Sequence, residues 1–160
     1  MVLKDVLWLS LAAYAIHILE EFSLDWRDWA RDALGLPVEW PDFYITNAVV
    51  VVLGIVAAAL VPSLPMVTLG FSALMLINAV FFHIFPFVRF GGRFSPGLFT
   101  AVILFIPLGL WAFWLAFDAG LTIGEAMGAF AVGAALMATP IIFLKLRQKP
   151  YFRQLRTQPN

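Results

Sequence analysis

Cysteine is absent from the 160 residues, which excludes disulfides, thiolate metal sites and a cysteine nucleophile. Charge is scarce as well: 12% of the chain is Asp, Glu, Lys or Arg, against about 25% in globular proteins. That scarcity excludes an ordinary water-soluble domain, because too few charged side chains remain to cover its surface. Neither sign is in excess. Ten basic residues balance ten acidic ones, and no basic, aromatic-interleaved surface exists to follow a phosphate backbone, so nucleic acid is excluded as a partner. What the chain does have is apolar bulk, 62% of its residues. The solvent that suits such a composition is lipid.

A bilayer core about 30 Å thick needs about 20 apolar residues in a helix, since lipid offers no partner to an open backbone group. Five runs meet this requirement, at residues 6–22, 43–61, 66–86, 98–117 and 123–144. The expected fold is all-α, a polytopic bundle of five transmembrane helices, as one domain over residues 1–146 with a basic tail over 147–160. The first run reads as a retained span and not as a signal peptide, because Lys4 is cancelled by Asp5 and leaves a weak basic start. Residues 23–32 read as a short interfacial helix. Phe22, Trp26, Trp29 and Ala33 recur at helical spacing, and Asp25, Asp28, Arg31 and Asp32 supply a polar side. Near the fifth run, Gly120, Gly124 and Gly128 repeat every four residues, a spacing that permits close helix approach within the bundle or between two copies of the chain in a homo-oligomer.

With five spans, the basic residues fall almost entirely on one side. Arg27 and Arg31 follow the first, Arg89 and Arg93 the third, and Lys145, Arg147, Lys149, Arg153 and Arg156 the fifth, whereas the other side holds Lys4 alone. Lysine and arginine accumulate in cytoplasmic segments, so the N-terminus is expected outside and the tail in the cytoplasm.

Ionisable groups inside apolar spans cost about 2.5–3.5 kcal/mol each at a helix centre on insertion scales, and they mark function by default. The first run carries His17-Ile18-Leu19-Glu20-Glu21 in its cytoplasmic half. On an ideal helix His17 lies about 60° from Glu20 and about 40° from Glu21, while the two glutamates diverge by about 100°. Both flank the imidazole, yet they do not face one point equally. The third run contributes Asn78 and His83 in the same leaflet, and the second and fourth begin there with Asp42, Asn47 and Thr100. Four helices thus bring polar side chains to one depth.

Three motifs carry a resemblance: His17-Ile-Leu-Glu20-Glu21, Asn78-Ala79-Val-Phe-Phe-His83 and Pro96-Gly97-Leu-Phe-Thr100. As a set they resemble the H-x-x-E-E, N-A-x-x-H and P-G-x-x-T elements of the HXXEE family of small integral membrane proteins, over roughly residues 10–110. The resemblance implies a membrane protein and brings no reaction with it. The middle element is one residue longer than the family's, which sets Asn78 and His83 about 140° apart on an ideal helix. Either a π-bulge absorbs the extra residue or Asn78 serves another contact.

Three chemistries fit these residues. In the first, His17, Glu20 and His83 bind a divalent metal, Zn²⁺ or Fe²⁺, with a coordination position left open. Glu21 is then the general base, or the two glutamates exchange these roles, and Asn47, Asn78 or Thr100 orients the ligands. In the second, His and Glu carry out metal-free acid–base catalysis, as in an isomerase or an intramembrane protease. In the third, the cluster ties helices together or lines a solute pathway without catalysis. Arg89 and Arg93 stand beside the cluster, where they serve either topology or an anionic headgroup. The residues favour the first reading: metal-assisted hydrolysis, with oxidation next, of a lipophilic substrate reached from the inner leaflet, with membrane lipids as surroundings.

Overall fold

The computed structural model describes residues 1–61, 63–147, 149 and 151, with the side chain of residue 147 outside the description. Among the described residues there are six helices and no strand. They are α1 (Leu3–Ser23), α2 (Trp26–Ala33), α3 (Trp40–Ala59), α4 (Pro65–Arg89), α5 (Leu98–Asp118) and α6 (Ile123–Arg147). All but α2 are long and apolar enough to cross a membrane, and they fit an integral membrane protein of the expected fold class. Of the tail expected over 147–160, Arg153 and Arg156 lie outside the described residues.

The order of packing follows from where apolar side chains run all the way round a helix. From Thr68 to Leu76 every residue of α4 is buried, the pattern of a helix enclosed on all sides. The other spans surround it and keep apolar outer faces, such as Val49, Ile103 and Phe143. One half of the core joins Val6, Leu69, Ala112, Phe113 and Ala129. The other half, nearer the arginines, joins Tyr14, Val50, Phe71, Leu74 and Phe105. We call the end of the bundle that carries Arg27, Arg31, Arg89 and Arg93 the basic end.

Contact between α4 and α6 depends on missing side chains. A Cβ on Gly133 would lie 2.7 Å from the Leu74 backbone nitrogen, one on Gly128 would lie 2.5 Å from Met66 Sδ, and one on Gly70 would lie 2.7 Å from Val132 Cγ1. Within the chain, these contacts do not follow the four-residue glycine series noted in the sequence. Gly120 is in the turn after α5, with φ +96°, and Gly124 faces open space apart from its own Thr122. Of those three glycines only Gly128 sits in a tight contact between helices, and the contact is within the chain.

The short helix also differs from its expected placement. It starts three residues later, at Trp26, and Trp29 is buried with Ala30, Val38 and Leu144. The indole therefore plugs the underside of the bundle and does not stand outward as a lipid anchor. Surface ion pairs, Arg31 with Glu39 and Arg93 with Asp32 at 2.6 Å, tie α2 to its neighbours.

Because a Cβ at position 133 meets backbone, Gly133→Ala is expected to lower the thermal unfolding temperature in detergent by an overpacking cost of about 1–3 kcal/mol. Gly124→Ala, which gains helix propensity without a clash, is expected to leave it unchanged or raise it. Equal effects at the two positions would refute glycine-mediated packing of α4 on α6.

Candidate functional site

At its basic end α1 presents three polar side chains within two turns. His17 and Glu21, four residues apart, share a face and point inward, with 1% and 5% of their surface exposed. Glu20 is rotated about 100° away from Glu21 and meets the start of α5. Its Oε1 accepts the backbone N–H groups of Gly97 (3.1 Å) and Phe99 (3.2 Å), and its Oε2 accepts those of Thr100, backbone at 2.8 Å and hydroxyl at 2.6 Å. The first N–H groups of a helix have no partner inside it, and a carboxylate is favoured there by the helix dipole. Glu20 is in effect a cap supplied by another helix.

The turn capped in this way is where the third motif lies. Gly97 adopts φ +95°, a left-handed conformation that a side chain disfavours. A Cβ there would also lie 2.5 Å from His83 Cε1, 2.7 Å from His17 Cε1 and 3.0 Å from Glu21 Cγ. The bare backbone of Gly97 thus closes over the two imidazoles. Three residues on, the Thr100 hydroxyl stands 2.7 Å from His17 Nδ1.

His83 arrives from α4 through a π-helical stretch, Ala79–Ile84. Hydrogen bonds there span i to i+5, which turns His83 toward the face carrying Asn78; of the two outcomes expected for the extra residue, the π-helix is the one found. A second π-helical stretch, Ala101–Phe105, follows Thr100 directly. The His83 ring is fully buried, edge-on to His17 at a centroid distance of 4.9 Å. Its Nδ1 lies 3.1 Å from Ser95 Oγ, and that hydroxyl donates to the Phe82 carbonyl at 3.2 Å.

The proton positions follow from these partners. The Thr100 hydroxyl has one proton and gives it to the Glu20 carboxylate; the Ser95 hydroxyl gives its proton to Phe82. With the hydroxyl protons so placed, each oxygen accepts and Nδ1 is the protonated nitrogen. For His17 the carboxylate at 2.6 Å favours this; for His83, with Ser95 Oγ 3.1 Å from Nδ1 and 3.2 Å from the Phe82 carbonyl, the tautomer is an assignment. In neutral imidazole this leaves Nε2 as a lone pair. Both Nε2 atoms are buried without a hydrogen-bond partner, and both face Glu21 Oε1, at 3.4 Å from His17 and 3.5 Å from His83. With these tautomers three acceptor atoms converge on one point, and the ligating atoms of the three residues lie within 4.8 Å of one another. Such a group could hold a metal ion.

Of the two glutamates left exchangeable by the sequence, Glu21 is the one beside the histidines. Glu20, expected as ligand, is occupied by four donors of the α5 start. The reason is the rotation between them: only i+4 from His17 faces the bundle interior. Thr100 touches His17. Asn47 stands one contact further out; it accepts the Tyr14 hydroxyl at 2.7 Å and donates to the Phe43 carbonyl at 3.0 Å. Tyr14 in turn lies 6.2 Å, centroid to centroid, from His17. Asn78 shares a cavity of about 90 Å³ with Glu21 and Tyr14, and its Oδ1 has no partner. Arg89 is exposed at the end of α4 and Arg93 is paired with Asp32, so the structure brings neither to the cluster. Ser95 is a site residue that sequence reading did not single out, and Gly97 appeared there as a motif letter without a role. Their signal was adjacency to Pro96, inside or beside a motif already noted.

The family described as "Protein of unknown function with HXXEE motif" matches residues 8–112, and the chain belongs to that family. No curated protein and no solved structure matches it. The geometry gives the family's motif letters physical meaning here: His17 and Glu21 face the centre, and Glu20 fastens α1 to α5.

Gly97→Ala is expected to cost about 1–2 kcal/mol for the left-handed backbone and about 1–3 kcal/mol more for overpacking against the rings. Gly91, with φ +65° and nothing within 4 Å of an added Cβ, is the control. Gly91→Ala carries the backbone cost alone, so thermal unfolding in detergent should separate the two variants; equal shifts would mean that Gly97 does not press on the histidines.

Proposed function

We propose that the protein is a metal-dependent membrane hydrolase, with zinc held by His17 Nε2, His83 Nε2 and Glu21 Oε1, acting on a lipophilic substrate. The observation that carries this reading is the convergence of two buried, unpartnered Nε2 atoms on one oxygen of the buried Glu21. Tetrahedral bonds of about 2.0–2.2 Å set ligand atoms about 3.3–3.6 Å apart. The Nε2 to Oε1 distances of 3.4 and 3.5 Å match that edge and are long for hydrogen bonds. Three protein ligands leave a fourth position open, as in catalytic zinc sites. Thr100 and Ser95 act as outer partners that fix each ring's tautomer and orientation.

A bound divalent metal supplies a water acidified toward a pKa of about 7. Glu20, accepting four hydrogen bonds, is not available as a base. The second oxygen of Glu21 is left to take the water's proton and return it to the leaving group. With a metal held by His17, His83 and Glu21, that water would add to an acyl carbon as its proton passes to Glu21, and Glu21 would return the proton to the leaving atom as the carbon–heteroatom bond breaks. Orientation follows the positive-inside rule: the basic end and the centre beside it lie on the cytoplasmic side, so substrate enters from the inner leaflet. Iron in the same two-histidine, one-carboxylate set would suit oxygen chemistry instead, and elemental analysis decides between them.

Detergent-purified protein should contain about one zinc per chain, lost in His17→Ala, His83→Ala and Glu21→Ala and kept in Glu20→Gln, by the three-ligand count of catalytic sites. Thr100→Val and Ser95→Ala should each weaken metal affinity by about 10–100-fold, the usual effect of removing an outer partner. Wild-type protein that takes up neither zinc nor iron when titrated would overturn the reading. Turnover that then depended on Glu21 would move the site to metal-free acid–base chemistry.

A further inference from the structure

A groove of about 390 Å³ runs between α3 and α6, lined by Asp42, Ile45, Val49, Leu53, Thr139 and Phe143 among others. Its walls are almost wholly apolar, and several of them, Ile45, Val49 and Phe143, also face outward. Asp42, Thr46, Val50, Leu136, Pro140 and Leu144 line both this groove and the smaller cavity that Tyr14, Glu21 and Asn78 line from within. One layer of side chains thus stands between the outer groove and the candidate centre. Pro140 belongs to that layer and sits inside α6; lacking an N–H, it cannot bond the Leu136 carbonyl one turn back, so the helix wall is weakest there.

The dimensions select an occupant. From Asp42 to Leu53 is eleven residues of α3, roughly 16 Å at about 1.5 Å each, close to half of a core about 30 Å thick. The groove therefore covers the hydrocarbon depth of one leaflet, the one at the basic end. Its volume is at the lower end of ligand pockets, about 300–1,000 Å³, which suits one chain and not two. The inner cavity, about 90 Å³, has room for a carboxyl, ester or amide function and none for a phospholipid headgroup. There Asn78 Oδ1 and Trp26 Nε1, both without a partner, are polar atoms left to meet it.

We infer that the α3–α6 groove is the entry and binding site for a single-chain lipid taken from the leaflet at the basic end, its chain in the groove and its small polar function beside Asn78 and Glu21. That this lipid is the substrate rests on the metal-centre reading above; that it binds does not.

The probe is palmitic acid carrying a mid-chain diazirine, in phosphatidylcholine vesicles containing the full chain, with labelled residues mapped by mass spectrometry. The expected result is label concentrated on Val49, Leu53, Leu136 and Phe143 despite excess two-chain lipid, displaced by unlabelled palmitate. Val49→Trp fills the groove from its lipid-facing rim and should reduce this label about tenfold, while Ile103→Trp on the outer face of α5 should not. Asn78→Leu should reduce it while Val49 remains. Label spread evenly over outward residues such as Ile103 and Leu110, or unchanged in Val49→Trp, would overturn the inference. Zinc content measured on the same samples separates the two ideas: metal with evenly spread label defeats the groove alone, and groove label without metal defeats the hydrolase alone.

Discussion

The site depends on one carboxylate being spent as a cap. Glu20 satisfies the orphan N–H groups at the start of α5, and in lipid those groups would otherwise have no partner. Fastening α1 to α5 at this point has two further effects. It takes the Thr100 hydroxyl proton, which favours donation by His17 through Nδ1, and it holds Gly97 against both imidazoles. A single helix-capping interaction thereby biases the tautomer of one histidine and sets the spacing of the pair. Adjacent glutamates suit this division because about 100° of rotation separates them, one toward a neighbouring helix end and one toward the interior.

The two π-helical stretches belong to the same construction. Ala79–Ile84 precedes the end of α4, and Ala101–Phe105 follows the capped turn of α5. Each adds a residue to a turn and re-aims what comes after it. In α4 the consequence is that His83 reaches Glu21 Oε1 while Asn78 stays on the cavity wall, although five residues separate them. In α5 the consequence is that Phe105 packs on the His17 ring at a centroid distance of 4.3 Å and stacks on Tyr14. Each stretch turns one face to the cluster, with Ala79, His83, Ala101 and Phe105 buried, and keeps apolar side chains such as Phe81 and Ile103 on its outer face.

Much of the architecture was legible in the chain. Five spans appear where apolar length demands them, with ends displaced by a few residues, because the cost of leaving backbone open in lipid makes hydropathy a strong constraint. His17, His83 and Thr100 were legible as members of one cluster since each is a polar residue at the same depth. The assignment of Glu20 against Glu21 was not, because it depends on which neighbour α1 meets on each face, and periodicity gives angles but not neighbours. The roles of Ser95 and Gly97 were hidden for a related reason: a serine and a glycine beside a proline look like turn chemistry, and only the packed turn reveals a hydrogen bond to one ring and a missing Cβ against two. As a mark of packing within the chain the glycine series misled because its first member terminates α5, and the close approach to α4 falls instead to Gly128 and Gly133.

What remains is why an apolar chain with so few charges keeps a carboxylate and two imidazoles together out of water. A buried polar group without a partner costs about 1–3 kcal/mol, and more when it is charged. Here, with both Nδ1 atoms protonated, two Nε2 lone pairs and a carboxylate oxygen face one another, so mutual repulsion adds to lost hydration. Helix fastening does not call for this arrangement, since Glu20 with the α5 start and Tyr14 with Asn47 already supply interhelical hydrogen bonds in which donors meet acceptors. A shared proton would relieve one contact at a time, leaving the other Nε2 unmet. A divalent cation relieves all three at once and retains an open face for chemistry, which is the physical reason for preferring it among the readings the residues permit.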